Sequence, residues 1–103
     1  MAFKVKFTHR ARQDTREAVV YLRRRSSPSA QKWLLELRKL KDSLAVFPSR
    51  FTRIPTELER NNYRVALHYS HKVIFYIDDE SHTVHIVRVY HSARKPLEFD
   101  EVE

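Results

Sequence analysis

The feature that most constrains this chain is a change of hydrophobic period partway along it. Between residues 9 and 47 apolar side chains recur every three or four positions, the repeat of a helix face. From residue 63 to residue 91 they alternate instead, the repeat of a half-buried strand. Helical signals grouped first and strand signals grouped last read as α+β, not as alternating α/β.

The details follow from that division. Phe3-Lys4-Val5-Lys6-Phe7 alternates apolar and basic residues and predicts a first strand. Thr8 can cap a helix whose narrow apolar stripe is Ala11, Thr15, Ala18, Val19 and Leu22. Arg10, Arg12, Arg16 and Arg23-Arg24-Arg25 lie mostly off that stripe, and the last three suit the negative end of the helix dipole. Ser26-Ser27-Pro28-Ser29 breaks the run. A second helix then places Ala30, Trp33, Leu34, Leu37, Leu40 and Leu44 on one face and stops at Phe47-Pro48. Trp33 reads as a helix–helix core residue. Two helices with a short connection predict an antiparallel hairpin.

Residues 48–61 have no clear period and read as an extended loop. Three strands follow, at 63–69, 72–77 and 82–91, with turns at Ser70-His71 and Asp78-Asp79-Glu80-Ser81. The expected order is β-α-α-β-β-β, a helical hairpin packed on one face of a largely antiparallel sheet. Residues 1–97 form one domain in this reading, followed by an acidic tail at 98–103. Strand parity assigns Val65, Leu67, Val73, Phe75, Ile77, Val84 and Ile86 to the helix-covered face. The opposite parity places Arg64, His68, Lys72, Tyr76, His85, Val87, Val89 and His91 on an open face. Arg88 has the parity of the core set, tolerable near a strand end if its guanidinium reaches water.

Composition narrows the chemistry. Among 103 residues there is no glycine and no cysteine. Glycine-rich phosphate loops, disulfides, thiolate zinc sites and cysteine nucleophiles are therefore excluded. Asp and Asn are expected to supply left-handed turn positions in glycine's place. No apolar run reaches the ~18 residues of a membrane span, and residues 1–20 lack a signal-peptide core, so a cytoplasmic location is expected. Of 20 Lys+Arg and 13 Asp+Glu, residues 1–60 hold 15 bases and 6 acids. The tail Glu98-Phe99-Asp100-Glu101-Val102-Glu103 holds four acids and no base, leaving +11 on residues 1–97. Such a basic body fits a polyanion or an acidic protein segment, and the tail reads either as a disordered end or as a screen over the basic face.

Arg64, Lys72 and His91 on one open face would make a site for cleaving RNA through its own 2′-hydroxyl. That reaction needs a base, an acid and cations for the phosphorane charge. Glu57 or Glu59 from the preceding loop could share the base role. The competing reading is a solvated sheet face awaiting a protein partner. His82 and His85 have opposite parity and cannot converge with His91 on a metal, so neither a metal nor a cofactor is expected. The Arg23-Arg24-Arg25 run reads as a solvated helix end or as a phosphate contact.

The sequence resembles the RelE/ParE superfamily of toxins from type II toxin–antitoxin modules. The resemblance is carried by Phe7-Thr8 through Ala11, Asp14, Tyr21-Leu22, and Leu37 to Leu44 ending at Phe47-Pro48. It continues through Lys72-Val-Ile-Phe-Tyr-Ile-Asp-Asp-Glu and Val84-His-Ile-Val-Arg-Val-Tyr-His-Ser-Ala-Arg-Lys-Pro96. It implies a small growth-inhibiting toxin neutralised by a cognate antitoxin that wraps it with a helix and an extended segment, as a toxin–antitoxin hetero-oligomer. RelE-like relatives cleave mRNA on the ribosome without a metal; the matching positions here are Lys72 and His91, with Arg94 as a helper. ParE-like relatives bind DNA gyrase, and the ending Val89-Tyr90-His91-Ser92-Ala93-Arg94-Lys95-Pro96 is similar to their His-small-Ala-Arg signature, which favours that branch. A non-toxic basic nucleic-acid-binding module is the third possibility.

Overall fold

In the computed structural model, described for residues 2–54 and 62–93, two helices pack on one face of a five-stranded sheet. The elements are β1 (Lys4–Phe7), α1 (His9–Arg25), α2 (Ser27–Ser43), β2 (Thr52–Arg53), β3 (Tyr63–His68), β4 (His71–Asp78) and β5 (Thr83–His91). The sheet order is β1-β5-β4-β3-β2. Only the β1–β5 pair is parallel, because the helical hairpin carries the chain back across the sheet before the antiparallel strands begin. The α+β architecture expected from the sequence is the one observed. The boundary expected at residue 97 and the acidic tail lie outside the described residues.

Side-chain oxygens set the helix ends. Thr8 caps α1, its Oγ1 accepting from the Ala11 N–H at 3.2 Å and donating to the Val87 carbonyl, which ties the helix start to β5. Ser26 alone separates the helices, so the break expected over residues 26–29 is a single residue. Its N–H donates to the Leu22 carbonyl while its hydroxyl accepts from the Ser29 N–H, and Pro28 fits the first turn of α2 because no donor is needed there. At the far end Arg50 donates to the carbonyls of Ser43, Val46 and Phe47. The Ser43 and Phe47 carbonyls also accept from the Val46 and Arg50 N–H groups, and together these bonds close α2 against the turn Pro48–Arg50.

The segment expected as loop thus contains a 3₁₀ turn and a short edge strand, β2, pairing Thr52 with Val65 and Arg53 with Arg64. Its two residues are too few for any period to show. Among the described residues, the left-handed positions fall at Phe47, Tyr69 and His82, not at Asp or Asn as expected. The β3–β4 turn consequently sits at Tyr69-Ser70, and His71 already belongs to β4. Across the other hairpin, Asp78 accepts from the Glu80 and Ser81 N–H groups. The Ser81 side-chain hydrogen bond, with these backbone bonds, holds the Asp78 carboxyl below its ordinary pKa.

Two parity assignments are corrected. Directly opposed residues in an antiparallel pair share a face. Ala66 opposes Val73 and Arg64 opposes Phe75, so Arg64, Ala66 and His68 lie on the helix-covered side. Val65 and Leu67 take the open side, and Leu67 is 73% exposed. The alternation in β3 was readable, but its phase was not: Val and Leu at 65 and 67 outweighed the small Ala66, which is what fits beneath the helices.

The second correction comes from a β-bulge. Ile74 opposes Arg88 while Phe75 opposes Ile86, leaving Val87 as the extra residue of β5. The bulge moves Val89 and His91 from the expected open face to the helix side, where Val89 joins the main core with Trp33, Leu37, Leu44, Phe75 and Ile86. Val87 stays on the open side in a small second cluster with Tyr63 and Ile74. That face is therefore partly apolar.

Candidate functional site

The described members of the expected RNA-cleaving set do not converge. Lys72 is exposed on the open face, opposite Leu67 and Tyr90. Arg64 lies on the other side, its Nη1 donating to the carbonyls of Ser49 (3.1 Å) and Phe51 (2.6 Å). It braces the chain after α2. His91 is opposite His71, their rings 4.9 Å apart, and its Nδ1 accepts from the Ala93 N–H at 3.0 Å. That bond occupies the lone pair a general base would use and leaves Nε2 to carry the proton. Arg94, Glu57 and Glu59 lie outside the described residues.

The structure instead gathers polar groups in a cleft of about 330 Å³ between α1 and the ends of β4 and β5. Glu17 and Tyr21 line it from the helix, His71 and His91 from the strands, and Ala93 from the chain beyond β5. Tyr21 is 53% exposed, with the Arg25 guanidinium 5.0 Å above its ring. An aromatic ring, an acid and two imidazoles around one opening can grip polar side chains or backbone. Tyr and Arg of this kind anchor protein interfaces.

Asp14 also lines the cleft, held in place by Arg88 behind it. Arg88 is only 3% exposed, against the expectation that it would reach water. Its Nε donates to Asp14 Oδ2 at 2.7 Å and its Nη2 to Oδ1 at 3.3 Å. Asp14 Oδ2 also accepts from the Val89 N–H at 3.0 Å, a backbone donor beside the bulge. One carboxylate thus satisfies the guanidinium and the backbone together, and sets where His91 emerges. Asp14 was named only as part of the family resemblance. A physical signal was nonetheless present: an acid on the apolar stripe of α1 and a base at core parity in β5 can both be buried only as a pair.

A row of rings runs from the core to this cleft. Trp33 packs edge-on against His68 (5.0 Å) and His71 (5.2 Å), and His71 meets His91. Trp33 is buried, as expected, but its contacts are with the sheet as well as the helices. His68 Nε2 donates to the Trp33 carbonyl at 3.0 Å, which fixes the tautomer because a carbonyl only accepts. Burial pushes the His68 pKa below its ordinary value, while the Trp33 bond and the charge of Glu36 pull the other way. The remaining histidines are dispersed: His82 stacks on Phe3 and His85 on Tyr76. Among the described residues, no group of three or more His, Asp or Glu is placed to hold a metal.

The comparisons with known proteins converge on one family. Residues 5–96 match the family model described as the ParE toxin of the type II toxin–antitoxin system parDE. No curated protein matches the sequence. Among solved structures, the chain is similar to one from the toxin–antitoxin complex RelBE2 of Mycobacterium tuberculosis, at 26% identity and a TM-score of 0.64. That match covers 88% of this chain and 99% of the other. It is also similar in fold to a chain of the chromosomal ParDE system of P. aeruginosa, at 14% identity and a TM-score of 0.68, covering 87% and 96%. With the family model spanning nearly the whole of its helices and sheet, the chain belongs to the ParE family of type II toxin–antitoxin toxins within the RelE/ParE superfamily.

Proposed function

We propose that this toxin inhibits growth in the cytoplasm by binding DNA gyrase, and that a cognate antitoxin neutralises it in a hetero-oligomer. The supporting observation is the separation just described: Lys72 faces one side of the sheet, while Arg64 and His91 face the other. A phosphodiester-cleaving site requires its base, acid and cations around one phosphate. A binding toxin needs only a surface, and the cleft with Tyr21, Glu17, His71 and His91 offers one. The antitoxin follows from the family and from the two similar chains, both of which come from toxin–antitoxin systems.

A second reading is a RelE-like, ribosome-dependent mRNA endonuclease. The higher identity to the chain from the RelBE2 complex favours it. Its residues would be Lys72, His91 and Arg64, with Arg94 and Glu57 outside the described residues. Expression of the toxin with two readouts separates the mechanisms. Accumulated gyrase-cleaved DNA with intact mRNA is the expected result. Codon-specific mRNA breaks on ribosomes, abolished by His91→Ala, would reject the gyrase reading. Unchanged growth would reject both.

A further inference from the structure

A second concavity, of about 440 Å³, lies on the other side of α1, between that helix, α2 and β1. Lys6, Arg12, Arg16, Arg38 and Lys41 line it, and no acid does. None of these five cations is in an ion pair among the described residues; the pairs formed there join Asp14 to Arg10 and Arg88, and Lys39 to Glu36. Between the cations the floor is apolar, made by half-buried Phe7 and Leu34 with buried Leu37. Five unpaired cations around an apolar floor match a short segment that carries both acids and apolar residues. A bare phosphate backbone would use the rim and leave the floor wet.

The chain contains such a segment. Glu98-Phe99-Asp100-Glu101-Val102-Glu103 has four acids interleaved with the apolar Phe99 and Val102. The distance also fits. Ala93 lines the cleft together with Glu17, and the next residue back, Arg16, lines the basic groove, so only the width of α1 separates the two. That width is about 10–12 Å. Residues 94–97 can extend about 13 Å, enough to bring Glu98 over the helix to the groove.

We propose that residues 98–103 dock in the basic groove between α1, α2 and β1 as a built-in acidic occupant. Any acidic segment of a partner that enters this groove then has to displace the tail. The proposal concerns the toxin alone and does not depend on whether its target is gyrase or mRNA.

The test compares the full chain with one ending at Leu97, by amide proton–nitrogen correlation spectra. The expected differences cluster at Phe7, Arg16, Leu34 and Arg38, and vanish at about 0.5 M salt, where screening reaches only a few ångströms. In parallel, a fluorescent peptide of residues 97–103 is titrated onto both chains and read by anisotropy. It binds the shortened chain about 10-fold tighter than the full one, because a tethered competitor acts at a millimolar effective concentration. Arg16→Glu with Arg38→Glu removes binding. Arg23→Glu with Arg24→Glu, equal in charge and outside the groove, keeps it. Spectral differences absent, or confined to Arg23–Arg25 or to the His71–His91 cleft, would overturn the proposal. So would equal peptide affinity for the two chains, or equal loss in the two charge reversals, which would leave only diffuse attraction to a basic body.

Discussion

Asp14→Ala isolates what holds the cleft together. The substitution leaves Arg88, 3% exposed, without its counter-charge, and leaves the Val89 N–H without its acceptor. Removing one partner of a buried ion pair costs ~3–5 kcal/mol, and an orphaned buried donor costs ~1–3 kcal/mol. The two losses share one carboxylate and do not add in full, so a total of about 4 kcal/mol is expected. Against a typical domain stability of ~5–15 kcal/mol, that is a large fraction. At ~4–8 °C per kcal/mol for a domain near this size, the midpoint falls by roughly 16–30 °C. The assay is urea unfolding followed by fluorescence of Trp33, the single tryptophan, which sits in the core. Arg10, 3.7 Å from Asp14 and 55% exposed, is the control, and Arg10→Ala should cost below ~0.5 kcal/mol. Asp14→Ala combined with Arg88→Met should recover much of the loss, since an apolar pair needs no counter-charge. A cost for Asp14→Ala under ~1 kcal/mol, or a coupling energy near zero in the Asp14/Arg88 cycle, would refute the reasoning.

Three further outcomes follow from other contacts. Because burial lowers the folded-state pKa of His68 below its unfolded value of 6.5, the unfolded chain binds the proton more readily. Stability contributed this way is fully present above pH ~6.5 and falls as pH drops through the folded-state pKa; His68→Phe should flatten that segment of a stability–pH curve, and an unchanged slope would assign it to another group. Arg64→Ala frees the carbonyls of Ser49 and Phe51 and should cost ~1–3 kcal/mol in urea unfolding, with a loss of growth inhibition no greater than the loss of folded protein. Loss of toxicity at unchanged stability would return Arg64 to a functional role. Tyr69→Asn removes a large side chain from a left-handed position (φ 54°) where it is 60% exposed; a gain of ~0.5–1 kcal/mol is expected, and a loss would show that its contact with His68 outweighs the strain.

The helices were the most legible part of the chain. Thr8, the α2 stripe and Pro28 act within a few residues of themselves, so their sequence neighbours already contain the relevant physics. The left-handed turns were not legible, because Phe47 and Tyr69 have no preference for that conformation, and His82 only a modest one, and all three are held there by the elements on either side. The candidate site was half legible. His91 was identified as a residue of interest, but its face was not. Lys72 was placed correctly on the open side and yet apart from the residues expected beside it.

The sequence by itself determined the element order apart from the short β2, the Thr8 cap and the alternation of the longer strands, since hydrophobic period and capping depend only on local spacing. The phase of that alternation belonged to the tertiary structure. In β3 it was decided by which side chain fits under the helices, and in β5 by one extra residue, Val87. A single bulge reverses every side chain beyond it, because the strand repeat is two residues. Asp14 then receives the Val89 N–H beside the bulge and the buried Arg88, from 74 and 75 residues away. No local pattern encodes a partner at that distance. Only the packing of α1 on β5 brings the three groups together and turns His91 into the cleft.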